Sequence, residues 1–220
     1  PLETRNASSY LLVFDNTSGL SLGVAVANIS PQAANVGVVI RDDNGAQIAI
    51  GSIPIPGNGQ TSFLLTDPKW FPATANLRGT IEFDTPPGGR ISVLGIRNSP
   101  PANTITTVPP LASAGTGGGG FAYLASGGGW KTTIVLVNTG AMPALSHLKF
   151  FDGSGRPLSL PVSFPQSGGS VSPAVSVDQT LAAGATLLIE TTGALSDPLL
   201  TGSAQLTTDG NVSGFVIFRH

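Results

Sequence analysis

The sequence predicts an all-β protein made of two Ig-like antiparallel β-sandwich domains in tandem. Three observations lead there. Short runs rich in Val, Ile, Leu, Phe and Thr recur between clusters of Gly, Pro, Asn and Asp, with the spacing of about 8 to 12 residues that marks antiparallel sandwiches. Charged residues make up 10 % of the 220 and hydrophobic ones 40 %, with 29 Gly and 18 Pro. That is too apolar for disorder and too poor in helix formers for a bundle. The chain also echoes itself: the strand-like run at 129–140 (GWKTTIVLVNTG) matches an earlier one at 23–30 (GVAVANIS), and a turn glycine, Gly45 or Gly155, follows 17 residues after Asn28 and Asn138 respectively. The division expected is a first sandwich at 1–98, a Pro/Gly-rich linker at 99–120 and a second sandwich at 121–220.

In order, residues 10–14 (YLLVF) read as the first strand and 24–27 as the second. Residues 35–41 (NVGVVIR) form the third, closed by Asp42-Asp43-Asn44-Gly45, an Asn-Gly hairpin signal because both residues tolerate positive φ. Residues 47–54 return as its partner, and 61–65 follow a Gly57-Asn58-Gly59 turn. Asp67-Pro68-Lys69-Trp70-Phe71-Pro72 is a loop with an aromatic plug, since two prolines so close cannot sit inside a central strand. Residues 78–83 and 90–96 flank the turn at 85–89. The stretch 99–120 (SPPANTITTVPPLASAGTGGGG) has a short β-like centre at 104–108; its Pro-rich part predicts a stiff connector and its glycine run a hinge.

The second half repeats the order: strands at 121–124, 132–137 and 145–151, the turn Asp152-Gly153-Ser154-Gly155, and 157–162 as the returning partner. Its extra length falls at 164–177, expected as a longer loop. Strands at 186–191, 202–207 and 212–219 finish it. The endings also correspond, with Gly79 lying 18 residues before Arg97 and Gly202 lying 17 before Arg219. Taken together, GGGWKTTIVLVNTG, LKFFDGSGRPLSL, TGSAQLTTDGNVSGFVIFR and FDNTSGLSLGVAVANIS resemble the paired repeat modules of large secreted or surface proteins of environmental bacteria, acidobacteria especially. The resemblance covers nearly the whole chain. It implies an extracellular location and a tandem architecture, and it lends no catalytic residues.

The residues themselves point away from chemistry. The net charge of −2 offers no basic stripe for a phosphate backbone, so nucleic acid is excluded as a partner. Cysteine is absent, which removes disulfides and thiolate metal sites. No apolar run approaches the ~20 residues of a transmembrane helix, and the start at Pro1 has no signal-like pattern, which reads as a mature product or an excised piece. His147 and His220 stand outside any metal or triad spacing, and no G-x-S-x-G elbow occurs. Asp42-Asp43-Asn44 and Asp152-Gly153-Ser154 are turn chemistry and lack the alternating carboxylates of a calcium loop. Glu3, Glu82 and Glu190 share no motif that would pair them as glycosidase carboxylates. The runs 117–120 and 127–129 lack the Gly-Lys-Ser/Thr ending of a phosphate cradle. Trp70 and Trp130 read as packing residues. No catalytic, cofactor or metal site is therefore expected.

What remains is a non-enzymatic extracellular structural protein, the subunit or repeat unit of a cell-surface assembly or filament whose partners are other copies of itself. The alternative is a carbohydrate-binding or adhesion module directed at surface glycans. Head-to-tail joining by strand addition is expected to use residues 1–14, with Leu2, Tyr10, Leu12 and Phe14 as the apolar contacts between subunits. Four N-x-S/T sequons, at Asn6, Asn16, Asn28 and Asn211, are the candidate glycosylation positions.

Overall fold

The structure is a computed structural model and describes residues 5–100, 103–112 and 118–220. The chain is all-β, with four antiparallel sheets in two compact units, residues 1–113 and 114–220. Among the described residues no helix is long and apolar enough to cross a membrane.

The first unit contains β1 (Ser9–Asp15), β2 (Ser21–Asn28), β3 (Ala34–Asp42), β4 (Gln47–Ile55), β5 (Gln60–Leu64), β6 (Arg78–Asp84), β7 (Ile91–Ser99), β8 (Thr104–Val108) and β9 (Leu111–Ala112). They form one sheet in the order β4-β3-β6-β1-β9 and a second in the order β5-β2-β7-β8. The alternation that makes a half-buried strand is plainest in β2. There Leu22, Val24, Val26 and Asn28 are buried while the small residues between them are not, the period-2 pattern of a pleated strand with one face on a core. β1 is different: all five residues from Tyr10 to Phe14 are buried, so its unbroken apolar run reflects cover on both faces.

The second unit contains β10 (Gly119–Ser126), β11 (Lys131–Asn138), β12 (Ala144–Phe151), β13 (Leu160–Ser163), β14 (Ser172–Ala174), β15 (Ser176–Leu181), β16 (Thr186–Thr191), β17 (Leu200–Thr208) and β18 (Val212–Arg219). Its sheets run β10-β17-β12-β15 and β14-β13-β16-β11-β18. The core gathers Leu124, Ile134, Leu136, Leu148, Phe150 and Ile189, with Phe121 and Val216 packed against it from the side.

The two units share a plan. β4-β3-β6-β1 corresponds to β15-β12-β17-β10, and β5-β2-β7 corresponds to β16-β11-β18. The ladder of β2 with β7 runs from Ser21↔Asn98 to Asn28↔Ile91, and that of β11 with β18 from Lys131↔Arg219 to Asn138↔Val212, with no shift in either. Val26 and Val135 accordingly lie in matching strands.

Two expectations are corrected. The partner of β12 is β15, and residues 157–162 are not that partner. After Asp152–Arg156 the chain makes one bridge, Phe151↔Pro157, then leaves this sheet and joins the other as β13, paired with β16 and β14. Pro157 lacks an N–H, so the pairing with β12 stops at that bridge. Leu160 and Val162 meanwhile find buried places in the core from the second sheet. The extra length of this unit is therefore a sheet-switching excursion that includes β13 and β14, and the loop expected at 164–177 already holds β14 and the start of β15. The second correction concerns the connector. Thr104–Val108 and Leu111–Ala112, placed within the expected linker, are strands of the first unit that pair with β7 and β1.

Candidate functional site

Tyr10, Leu12 and Phe14, the expected contacts between subunits, are at most 1 % exposed and belong to the core of their own unit. β1 is paired along its whole length with β6, and at Tyr10 and Leu11 with β9 as well. A strand held in this way cannot be lent to a neighbour without unfolding its sandwich, so Tyr10, Leu12 and Phe14 are not free to join another subunit. Leu2 lies outside the described residues. Two sequons are likewise corrected: Asn16 and Asn28 are buried and their amides are committed. Asn16 donates to the Thr74 carbonyl at 3.2 Å and accepts from Leu22 N–H at 2.9 Å. Asn28 donates to the carbonyls of Gln32 (2.8 Å) and Pro56 (3.2 Å). Asn6 is exposed and accepts from the Arg90 guanidinium, and Asn211 is half-buried.

The turn reading of the acidic pairs matches the geometry. The Asp42 carboxylate accepts from the N–H of Asn44 and Ala46, and Asp152 does the same for Ser154 and Arg156. His147 lies on the exposed face and bonds Asp178 across the β12–β15 pair at 2.9 Å. Trp70 stacks on Phe63 with centroids 4.3 Å apart and Lys69 beside it, a packed plug. Trp130 departs from the packing role. It is 38 % exposed and meets His220 at 4.8 Å, at the end of a turn in which Gly127, Gly128 and Gly129 all take positive φ.

No described cluster of three or more His, Asp or Glu side chains could hold a metal ion, and the groove lined by Ala33, Asn35, Pro54 and Pro56 carries no titratable group. The concentrated charge is an ion-pair knot across β16, β11 and β18. Glu190 receives Lys131 at 2.6 Å and the guanidinium of Arg219, while Thr133 donates to it at 2.9 Å. Burial pushes the Glu190 carboxyl up, but the Lys131 hydrogen bond and the charges of Arg219 and Lys131 outweigh it and hold the group below its ordinary value. Lys131, Thr133 and Arg219 all converge on this one carboxylate, although Arg219 Nε is buried without a hydrogen-bond partner, and the knot fastens the three strands together.

The feature that stands apart is a strand edge. Of the eight strands that end a described sheet, most carry a device that blocks pairing with another chain. β4 contains Pro54 and faces a register shift, β10 has a shift between Phe121 and Leu124, and β14 is three residues long with Pro173. β9 has two residues, β5 and β8 have five each and are mostly polar, and β15 carries Asp178. β18 (VSGFVIFR) has eight residues and no proline, and its single charge, on Arg219, is drawn to Glu190. Among the described residues nothing pairs with its outer side.

β18 is half of a seam. The other half is β10, the edge of the facing sheet, and Tyr123 and Phe218 meet between them with ring centroids 5.8 Å apart, 52 % and 39 % exposed. In the first unit the same seam is closed. β8 lies on β7, Pro109-Pro110 carries the chain across, and β9 lies on β1. Among the described residues the first seam is covered by the strands that directly follow β7, and β18 ends its sheet. No family model matches this chain, and a search of curated proteins finds no match.

Proposed function

We propose that this chain is a non-enzymatic extracellular structural module that joins a neighbouring polypeptide by strand addition at β18. The observation that carries the reading is the contrast among the eight edges of the described sheets: the others are short, bulged, polar or proline-bearing or carry Asp178, whereas β18 has eight residues, no proline and an unshifted ladder, and its one charge, Arg219, pairs with Glu190. An unguarded apolar edge offers a row of N–H and C=O groups, and added strands take affinity from main-chain hydrogen bonds. The low charge and the motif resemblance to surface modules support the extracellular setting. A glycan platform has less support, because the Trp130–His220 and Tyr123–Phe218 rings are tilted by 54° and 52° and Phe63 covers one face of Trp70.

The test is the concentration dependence of the full chain by light scattering, with amide exchange read at residues 212–219. Association with protection of β18 is expected, and Phe218→Lys, an edge charge at an exposed position, should keep the chain monomeric with an unchanged circular dichroism spectrum. If the β18 amides stay unprotected at all concentrations and also with extended peptides present, the joining role is overturned.

A further inference from the structure

The sequence contains four Asx-Gly pairs: Asn44-Gly45, Asn58-Gly59, Asp152-Gly153 and Asp209-Gly210. A glycine in second place has no Cβ to shield its backbone nitrogen. That nitrogen is able to attack the side-chain carbonyl carbon of the residue before it and close a five-membered imide. Whether it does so in a folded chain depends on how easily the local backbone opens.

Three of the four pairs are tied down. The Asp152 carboxylate accepts from the N–H of Ser154 at 2.8 Å and of Arg156 at 2.9 Å, and an ionised carboxylate is in any case a poor target for a nucleophile. Asp209 accepts from Leu145 N–H at 2.7 Å while Gly210 N–H donates to Thr208 Oγ1 at 3.2 Å, so both reacting groups are engaged. Around Asn58 the backbone is fixed on either side. Asn58 N–H donates to the Ser30 carbonyl at 2.8 Å, and the Gly59 carbonyl accepts from Asn28 N–H at 2.9 Å. Gly57 lies so close to Pro31 that a Cβ there would meet its carbonyl oxygen at 1.9 Å. Opening this turn means parting β2 from β5 and disturbing the buried Asn28.

Asn44 is held more loosely. It is exposed, and its amide nitrogen donates to the Asp43 carboxylate in a long bond of 3.3 Å at the surface. The N–H groups of Asn44 and Ala46 reach the Asp42 carboxylate, and that of Gly45 reaches the Asp42 carbonyl at 3.1 Å. Releasing them loosens residues 43–46 at the hairpin tip and leaves the β3–β4 ladder, which ends at Arg41↔Gln47, in place. The second unit builds the same turn with Ser154 at the matching position. The turn therefore demands Asp42 and a positive-φ Gly45, and it does not demand an asparagine.

We propose that Asn44 is a self-modification site at which the chain converts its own side-chain amide to an acid. The Gly45 nitrogen gives its proton to a solvent base and attacks Asn44 Cγ. The bond from Cγ to Nδ2 breaks, and that nitrogen takes up a proton from water and leaves as ammonia. Water then adds to either carbonyl of the imide and opens the ring, giving aspartate at 44 or its β-linked isomer. The formal net charge of −2 becomes more negative by one, and the new carboxylate joins those of Asp42 and Asp43. In the β-linked product the main chain gains a methylene before Gly45, which displaces the Gly45 and Ala46 N–H groups from Asp42.

The experiment incubates the full chain in mildly alkaline buffer and follows it by ion-exchange chromatography and peptide mapping, with isoaspartyl-specific methylation reading the β-linked product. An acidic form should accumulate with its mass gain at Asn44. Asn44 should convert at least about tenfold faster than Asn58, the factor that about 1.4 kcal/mol of extra opening cost supplies. In Asn44→Ser, which copies the turn of the second unit, that form should be absent and the circular dichroism spectrum unchanged. If this variant folds poorly, the peptide map of the parent chain still decides the matter. A synthetic peptide of residues 41–47, incubated alongside, sets the time by which an unheld Asn-Gly has reacted. Faster conversion at Asn58, Asp152 or Asp209, the same acidic form in Asn44→Ser, or an intact Asn44 after the peptide has fully converted would overturn the proposal.

Discussion

Asn28 and Asn138 fasten the same loop in each unit. Asn138 is fully buried, donates to the carbonyls of Met142 at 2.7 Å and Leu181 at 3.0 Å, and accepts from Gly140 N–H at 2.9 Å. Asn28 ties the end of β2 to its following turn and to the end of β4 in the same way. Replacing either with Ala strands buried carbonyls without a donor, so Asn28→Ala and Asn138→Ala should each cost about 2–3 kcal/mol. Urea denaturation would check this, and losses under half a kilocalorie would show that water takes the place of the amide. Glu190 gives a pH-dependent counterpart. A carboxyl whose folded pKa is lowered contributes stability that is present above its unfolded value, near 4.5, and is lost as pH falls through the lowered folded value. Glu190→Gln should cost about 1 kcal/mol at neutral pH, kept small by screening because the Lys131 and Arg219 side chains are 35 % and 40 % exposed. It should also flatten the stability curve below pH 4.5. Asp84 works the other way: burial and the neighbouring Glu82 raise its pKa against the pull of Arg41, so it favours the fold towards acid. Thermal melts of the variant and the parent that run parallel across acid pH would remove Glu190 from this account.

At the scale of elements, Gly95 decides whether a fourth strand can join its sheet. Gly95→Val should push Val108 out, free β8 from β7 and cost about 1–3 kcal/mol through overpacking. Exchange protection should fall at residues 104–108 and hold in β6, whereas unchanged protection there would mean that β8 tolerates the valine. Most strands were legible from their apolar runs and Gly or Asn boundaries, because those features act locally. Two misreadings have a common cause. Residues 157–162 alternate Pro157, Leu158, Leu160 and Val162 in a way that suits either sheet, and the choice between β12 and β16 is made by neighbours far away in sequence. Residues 104–112 carry two prolines and read as a connector, yet the five residues of β8 are enough to cover an edge. Pairing partners are non-local, and periodicity alone does not name them.

At the scale of the whole molecule, the shared strand plan of the two units was legible because its markers are punctuation with fixed backbone demands. Gly45 and Gly155 both take positive φ at the end of an Asp-anchored turn. A Cβ on Gly79 or Gly202 would lie 1.9 or 2.2 Å from the carbonyl of Arg41 or Phe151, so the two glycines serve one close strand approach. The edge position of β18 was hidden for the opposite reason. The sequence of β18 reads as a core strand whether or not anything lies beside it. The placement of Tyr10, Leu12 and Phe14 turned on the same point: an apolar run such as YLLVF says that a strand will be covered, without saying by what, and here the cover is their own unit.

The pairing of β1 has a consequence during synthesis. Its partner β6 lies roughly 70 residues further along, and at ribosomal speeds of about 5–20 residues per second β1 emerges several seconds before β6 exists. Its small cover strand β9 arrives later still. Throughout that interval Tyr10, Leu11, Leu12, Val13 and Phe14 form an uncharged apolar stretch without its sheet, the kind of exposed segment that holding chaperones recognise. The first sandwich can thus close only after the ribosome has passed its last seam strand, and the nascent chain spends longest unprotected at the residues that end up most deeply enclosed.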